Sequence, residues 1–139
     1  MTNENLKQRT RQFALDVIKV VEKLPRDMVS EVLGRQLLRS GTSVVANYRS
    51  ATRAKSPADF IAKMNIVEKE ANESVLWADL LEASNRIAQD VARPLMRGGG
   101  ELTAIAVASI RTARRTAARE QPTARGPAPR SAFRAPRSK

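Results

Sequence analysis

The segment from Leu33 to Lys55 constrains the fold most, because its residues form two stripes at the spacing of an α-helix. One stripe is mainly apolar with small residues at its centre, and it consists of Leu33, Leu37, Gly41, Val44, Tyr48 and Ala51. The other stripe carries four arginines, which are Arg35, Arg39, Arg49 and Arg53. Such a segment has to bury its apolar side against other helices.

The four arginines leave two interpretations open. Guanidinium groups along one helix face can reach a phosphate backbone or the carboxylates of a partner, which predicts a nucleic-acid contact. They can equally form a solvated polar face or pair with glutamates inside an oligomer. We expect Glu68, Glu70 or Glu73 to pair with arginines of this helix, within a subunit or across an interface.

Composition argues against several classes of chemistry. The 139 residues are enough for one domain with a buried core, and they include no cysteine and no histidine. Thiolate chemistry, the commonest general base and the commonest metal ligand are therefore missing. Glu70 and Glu73 have the three-residue spacing of carboxylate-bridged metal bundles, but such sites need a histidine. We predict no catalytic residue, no metal site and no cofactor.

Net charge is the strongest global signal. Lys and Arg total 25 against 14 acids, which gives a net charge of +11 and favours polyanionic partners. Six basic residues and one acid lie from Arg119 onward, in a proline-rich segment that we predict to be a disordered tail over residues 119–139. This tail is interpreted either as a solubility segment or as a nonspecific nucleic-acid tether. Residues 1–118 keep 19 basic residues against 13 acids, so the folded part is basic by itself.

Apolar periodicity and helix caps predict four helices and no strand. Asp27 is expected to cap the second helix, and Ser56 followed by Pro57 to begin the third. Pro94 and the run Gly98–Gly100 indicate a flexible connection before the fourth. The expected helices span about residues 5–24, 27–55, 57–87 and 101–118. The economical fold is all-α, an antiparallel up-down-up-down four-helix bundle over residues 1–118.

Other residues also have a structural and a functional interpretation. Gly41 indicates a close approach of two helices rather than a ligand pocket, and Trp77 a core or interface position rather than a base-stacking platform. Tyr48 and Asn47 are likewise assigned to the core or an interface. A second basic surface is expected near the C-terminus of the fourth helix, where cations suit the helix dipole. Its residues, which complete the predicted nucleic-acid-binding set, are Arg111, Arg114 and Arg115.

The string QLLRSGTSVVANYRSATRAKSPADFIAKMNIVEKEANESVLWADLLEAS resembles the central signature of the 23S rRNA-intervening-sequence proteins, a family of four-helix bundles. The pattern R-S-x-T-S-V-x-A-N at Arg39–Asn47 precedes D-F-x-x-K at Asp59–Lys63, K-E-A-N-E and a tryptophan. ELTAIAVASIRTAR resembles the closing helix, so the likeness covers Phe13–Arg115. The chain departs at Arg49–Ala51, where we expect a run such as R-E-A, and at Arg97–Gly100, where we expect a polar helical lead-in.

The resemblance implies an oligomeric helical bundle, often encoded inside intervening sequences of ribosomal RNA genes, with no established enzymatic activity. The family is also similar to the accessory variability determinant of diversity-generating retroelements, which forms a basic five-subunit barrel and engages nucleic acid and a reverse transcriptase. A homo-oligomer, with the pentamer as one form, and a ribosomal or reverse-transcriptase partner are therefore implied. The residues carried over as part of the second-helix signature are Arg39, Ser43, Asn47, Tyr48 and Arg49.

Three functions from different classes follow. The leading one is a non-catalytic bundle that binds RNA or DNA nonspecifically through phosphate contacts. The second is a protein-interaction scaffold whose arginines dock an acidic partner such as a reverse transcriptase. The third is a nuclease or metal hydrolase, which would depend on Glu70 or Glu73 and Mg²⁺. No run is long enough to span a membrane and no signal peptide is evident, so we expect a cytoplasmic protein without a membrane partner.

Overall fold

A computed structural model describes residues 3–120 as four α-helices. The helices are α1 (Asn3–Glu22), α2 (Met28–Thr52), α3 (Pro57–Ala83) and α4 (Gln89–Glu120). Helices adjacent in sequence pack side by side and α1 also packs against α4, whereas α2 and α4 do not contact each other within this range. The predicted all-α four-helix bundle is confirmed. Residues 121–139, most of the predicted disordered tail, lie outside the described residues, and Arg119 and Glu120 belong to α4.

The core lies along the common axis and takes side chains from every helix. Val17 of α1, Leu37 and Val44 of α2, and Met64 and Leu81 of α3 have no exposed surface. The stripe that α4 contributes has a spacing of three and four residues and consists of Ala92, Leu95, Gly99, Leu102, Ala106 and Ile110. Burial of these periodic faces, rather than intrinsic helix propensity, holds the bundle together.

The predicted caps of α2 and α3 are confirmed. The Asp27 carboxylate accepts a hydrogen bond from the Ser30 amide at 2.9 Å, and the Ser56 hydroxyl accepts one from the Asp59 amide at 3.0 Å. Each bond satisfies an amide that has no partner within its own helix. The Asp27 carboxylate also pairs with Arg86, 3.2 Å away, so the α1–α2 and α3–α4 turns lie at the same end of the bundle.

The predicted end of α3 near Ile87 is wrong by about one turn. Asn85 has a φ of 63° and places the chain in the left-handed region directly after the helix. The Asn85 amide donates to the Glu82 carbonyl and the Arg86 amide to the Leu81 carbonyl, at 2.9 and 2.8 Å. These are the two bonds of a Schellman motif, which closes a helix, and asparagine is among the few non-glycine residues that adopt its conformation readily.

The predicted flexible connection at Gly98–Gly100 is also wrong, because α4 begins at Gln89 and includes Pro94 and all three glycines. A Cβ atom at Gly99 would lie 2.8 Å from Val75 Cγ2 and 3.3 Å from the Ala71 carbonyl oxygen. Gly99 therefore allows α4 to approach the backbone of α3 closely. The expected closeness at Gly41 is confirmed, since a Cβ there would lie 2.8 Å from Val17 Cγ2 of α1.

Candidate nucleic-acid interface

Arg39, at the centre of the arginine stripe, is engaged by two carboxylates of α3. Its Nη1 donates to both oxygens of Glu70 at 3.1 and 3.2 Å, and its Nη2 donates to Oε1 of Glu73 at 3.1 Å. The hydrogen bond to Glu70 raises the pKa of the Arg39 guanidinium above its ordinary value, with further support from the charge of Glu70 and from Glu73. The predicted pairing of α3 glutamates with an arginine of α2 is confirmed for Glu70 and Glu73.

The pair also fixes how α2 and α3 sit against each other. The Glu70 side chain is only 8% exposed, so its charge needs the guanidinium as a partner. One turn further along α3, the hydroxyls of Ser40 and Ser74 share a buried hydrogen bond of 2.7 Å. Shifting the two helices by one turn would break both contacts and leave the nearly buried Glu70 carboxylate without its guanidinium partner. Arg39 therefore has a structural role, although about half of its side chain reaches solvent.

The other three arginines of the stripe are exposed. Within residues 3–120, no ion pair or side-chain hydrogen bond is formed by Arg35, Arg49 or Arg53. Arg35 lies toward the end of the bundle that holds the α1–α2 turn, whereas Arg49 and Arg53 lie beside the α2–α3 turn at the other end. The paired Arg39 stands between them, so the stripe is not one continuous row of free cations.

The antiparallel topology brings the last turns of α4 to the same end as Arg49 and Arg53. We call residues 49–63 and 111–120 the basic end. It contains eight basic residues and two acids, Asp59 and Glu120. The basic residues are Arg49, Arg53, Lys55, Lys63, Arg111, Arg114, Arg115 and Arg119. Lys63 lies 3.6 Å from Asp59, and no other ion pair within the described chain involves these eight cations.

The opposite end of the bundle is close to neutral. We call residues 16–35 and 79–93 the turn end, which contains six basic residues and seven acids. Several of its charges are paired, because Asp27 contacts Arg86 and Glu82 contacts Arg93, with nitrogen–oxygen distances of 3.2 Å in both cases. The positive charge of the domain is therefore concentrated at one end. This end exerts a net attraction on an approaching polyanion.

A groove runs between α3 and α4 and borders the basic end. We call it the α3–α4 groove, and its volume is about 390 Å³. Val107 and Ile110 form apolar lining on the α4 side, and Asn65 and Glu68 line the α3 side. The cations that border it are all exposed: Arg111, Arg114 and Arg115. Glu68 forms no ion pair with them or with any other residue between 3 and 120.

The remaining predicted positions are internal or packed against the core. Tyr48 is 2% exposed, and burial, followed by the nearby charge of Glu4, raises the pKa of its phenol. The Asn47 side-chain amide donates to the Ser43 carbonyl and hydroxyl, each at 2.9 Å, so its hydrogen bonds lie within α2. Trp77 packs on the core cluster, and its indole N–H is buried without a partner in the described chain.

Two kinds of feature are absent from residues 3–120. No group of three or more carboxylates in this range is arranged to hold a metal ion. Glu70 and Glu73, the carboxylates considered above for that role, contact Arg39 instead. None of the described helices combines the length and apolar character needed to cross a bilayer.

Comparison with known proteins agrees with this architecture. Residues 3–108 match the family of 23S rRNA-intervening sequence proteins. The chain belongs to this family. A crystal structure of a protein with unknown function from the S23 ribosomal protein family of Bacteroides thetaiotaomicron VPI-5482 is similar at 33% identity. The alignment covers 80% of this chain and 99% of that one, with a TM-score of 0.74. A search of curated proteins finds no match.

The family match ends at residue 108, just before Arg111, Arg114 and Arg115 of α4. The sequence predicts those arginines as nucleic-acid-binding residues, but on a second basic surface separate from the α2 stripe. The signal that would have placed them correctly is topological. In an up-down-up-down bundle, the end of the fourth helix lies beside the turn between the second and third. Charges at both places therefore accumulate at one end, although they are about 60 residues apart in sequence.

Proposed function

We propose that this protein is a non-catalytic, basic helical-bundle protein that binds RNA or DNA through phosphate contacts at its basic end. The observation that carries the proposal is the concentration of eight basic residues against two acids there, with the turn end near neutral. Arg49, Arg53 and the three groove arginines supply exposed guanidinium groups. Arg39 is left out of the binding set because Glu70 and Glu73 hold it.

Phosphate contacts of this kind give affinity with little sequence selectivity. Guanidinium groups match phosphate oxygens in geometry and stay charged at every physiological pH. Each phosphate that is neutralised releases condensed counterions, so the affinity decreases steeply as salt increases. Six contacts correspond to a slope of roughly −5 in a plot of log affinity against log salt concentration.

The test is a salt titration with the full chain, read by fluorescence anisotropy of labelled RNA and DNA. The triple substitution R111Q/R114Q/R115Q removes three cations from the basic end. We expect it to weaken binding and to make the slope shallower by about 2 to 3, because three phosphate contacts are lost.

A matched control removes the same charge from the turn end. The side chains of Lys19, Lys23 and Arg26 are exposed and form no ion pair in the described chain. The triple substitution K19Q/K23Q/R26Q should leave the slope within about one unit of the parent value. Equal losses in the two variants would contradict the proposal, since they would show a dependence on net charge rather than on one end.

We also propose that copies of the chain associate through the face formed by α2 and α3. Met28 and Val32 of α2 and Leu76 and Leu80 of α3 are between 38% and 77% exposed, and each pair is one helical turn apart. The Asp27–Arg86 and Ser40–Ser74 contacts place both pairs in the same half of the bundle. Large apolar side chains grouped on one face are typical of a protein interface. Association multiplies the number of basic ends in one particle and strengthens binding by avidity.

The alternative function, an accessory subunit that docks an acidic protein such as a reverse transcriptase, would use the same cations. It predicts a protein partner that remains bound after nuclease treatment, with no salt-dependent binding of RNA or DNA. Both measurements use the full chain, and their combination separates the two functions.

A further inference from the structure

The α3–α4 groove has features that phosphate binding alone does not require. Its volume of about 390 Å³ falls within the range of roughly 300–1,000 Å³ found for small-ligand pockets. Val107 and Ile110 give it an apolar surface, which a phosphate does not need but the face of a nucleobase does. Arginines border this surface, and guanidinium planes can stack on bases as well as pair with phosphates.

Glu68 is the second unusual feature. A carboxylate at a phosphate-binding surface repels the ligand, and three arginines line the same groove, yet Glu68 pairs with none of them. Its two oxygens are therefore available to accept hydrogen bonds from a ligand. Asn65 precedes Glu68 by three residues on α3 and so lies on the same helix face, with an amide that can both donate and accept.

This set of groups matches one base better than the others. The Watson–Crick edge of guanine presents two adjacent donors, N1–H and the 2-amino group, beside the acceptor O6. Adenine and cytosine each offer one amino donor there, and uracil and thymine one ring N–H. A carboxylate that accepts two hydrogen bonds therefore fits guanine. In a duplex this edge is already paired, so only an unpaired base can present it.

We propose that the α3–α4 groove binds an unpaired guanine of a single-stranded nucleic acid. Glu68 accepts from N1–H and the 2-amino group, and Asn65 donates to O6. The three groove arginines hold the flanking phosphates. This inference rests on the proposed function and adds to it a preference for single strands and for one base.

The test uses the full chain and short labelled oligonucleotides, in RNA and DNA versions. The parent probe is an oligouridine or oligothymidine with one central guanosine, and the comparison probes carry adenosine or inosine at that position or form a blunt duplex. We expect the guanosine probe to bind about tenfold more tightly than the inosine probe, which lacks only the 2-amino group. The duplex should bind more weakly than the guanosine strand at the same salt concentration.

The substitution E68Q replaces one acceptor oxygen by a donor and keeps the side-chain shape. It should abolish the preference for guanosine over inosine, while affinity for the pure pyrimidine strand stays equal or rises because a negative charge is removed. The matched control is E31Q, since Glu31 is an exposed turn-end acid without an ion pair in the described chain. It should keep the guanosine preference.

The outcomes separate the two proposals. Equal binding of the guanosine, adenosine and inosine strands, or a guanosine preference that survives E68Q, overturns the groove assignment and leaves phosphate binding intact. Equal affinity for strand and duplex also overturns it. If the parent protein binds none of the probes at low salt, the proposed function itself fails.

Discussion

Arg39 joins α2 to α3 through Glu70 and Glu73, and this pairing changes what the side chain can do. A guanidinium that donates to two carboxylates has fewer donors left for a phosphate. Removal of the Arg39 guanidinium would leave the nearly buried Glu70 carboxylate in an apolar environment without a counterion. Arg39 therefore contributes to the stability of the fold, although in sequence it resembles the other arginines of the α2 stripe.

The substitution R39Q should lower the free energy of unfolding by about 1–2 kcal/mol, near the lower limit of the roughly 1.5–3 kcal/mol found for hydrogen bonds to charged groups. The loss stays below that of a fully buried pair because half of the Arg39 side chain is exposed and screened by solvent. Urea unfolding followed by circular dichroism measures it. R35Q, the control on the same stripe, should stay within about 0.5 kcal/mol of the parent. A similar loss in both variants would show that the Arg39–Glu70 ion pair does not stabilise the fold more than an exposed arginine does.

The Asp27 carboxylate should make the free energy of unfolding depend on pH. The hydrogen bond from the Ser30 amide, with smaller contributions from the Ser30 hydroxyl and Arg86, lowers the pKa of Asp27 in the folded protein below 3.8. The unfolded chain therefore binds a proton at higher pH than the folded one. The stabilising contribution of the Asp27 carboxylate is complete above the pKa that Asp27 has in the unfolded chain. It is lost as the pH falls through the pKa that Asp27 has in the folded protein.

The measurement is the urea midpoint of the parent and of D27N between pH 7 and pH 2.5. The difference between the two proteins should be largest at neutral pH and should shrink below about pH 3.8, where Asp27 becomes protonated first in the unfolded chain and then, at lower pH, in the folded protein. D79N serves as a control, because Asp79 is exposed and its carboxylate accepts no hydrogen bond in the described chain. A gap between parent and D27N that stays constant with pH would contradict the role of the charge.

Among the elements, α4 shows that packing overrides local helix-breaking signals. Proline lacks an amide donor and glycine disfavours a helix by roughly 1 kcal/mol relative to alanine. Both are nevertheless helical here, since the apolar stripe from Ala92 to Ile110 continues through them and docks on the core. Gly99 stands on that stripe, where its lack of a side chain lets the helix approach α3.

Two neighbouring glycines supply a matched test of this interpretation. G100A should raise the free energy of unfolding by up to about 1 kcal/mol, because Gly100 is exposed and helical with nothing within 4 Å of an added Cβ. G99A should lower it by about 1–2 kcal/mol, since overpacking against Val75 and the Ala71 carbonyl exceeds the gain in helix propensity. Thermal or urea unfolding gives both values. Equal small effects would indicate a flexible segment instead.

On the scale of the whole molecule, charge and apolar surface are separated. Within residues 3–120 the basic end holds seven cations without an ion pair and the turn end four, whereas the exposed apolar pairs of α2 and α3 lie toward the turn end. Assembly through the apolar face would therefore leave the basic ends available. This arrangement allows one chain to carry both an assembly surface and a polyanion-binding surface without competition between them.

The double substitution L76E/L80E should shift the protein from an oligomer to a monomer, because two charges would have to be buried in the interface. Native mass spectrometry or light scattering measures the particle mass directly. A62E, an exposed position of α3 near the opposite end, should leave the mass unchanged. A parent protein that is already monomeric at micromolar concentration would contradict the proposed assembly.

The sequence by itself determined the four helices, their order and two of their caps. The reason is that these features depend on local periodicity and on contacts over three or four residues, as at Ser56–Asp59. Tertiary structure decided that Gly98–Gly100 are helical, that Asn85 ends α3 and that Arg39 is paired. Each of these depends on groups distant in sequence or on close packing, and periodicity carries no information about either.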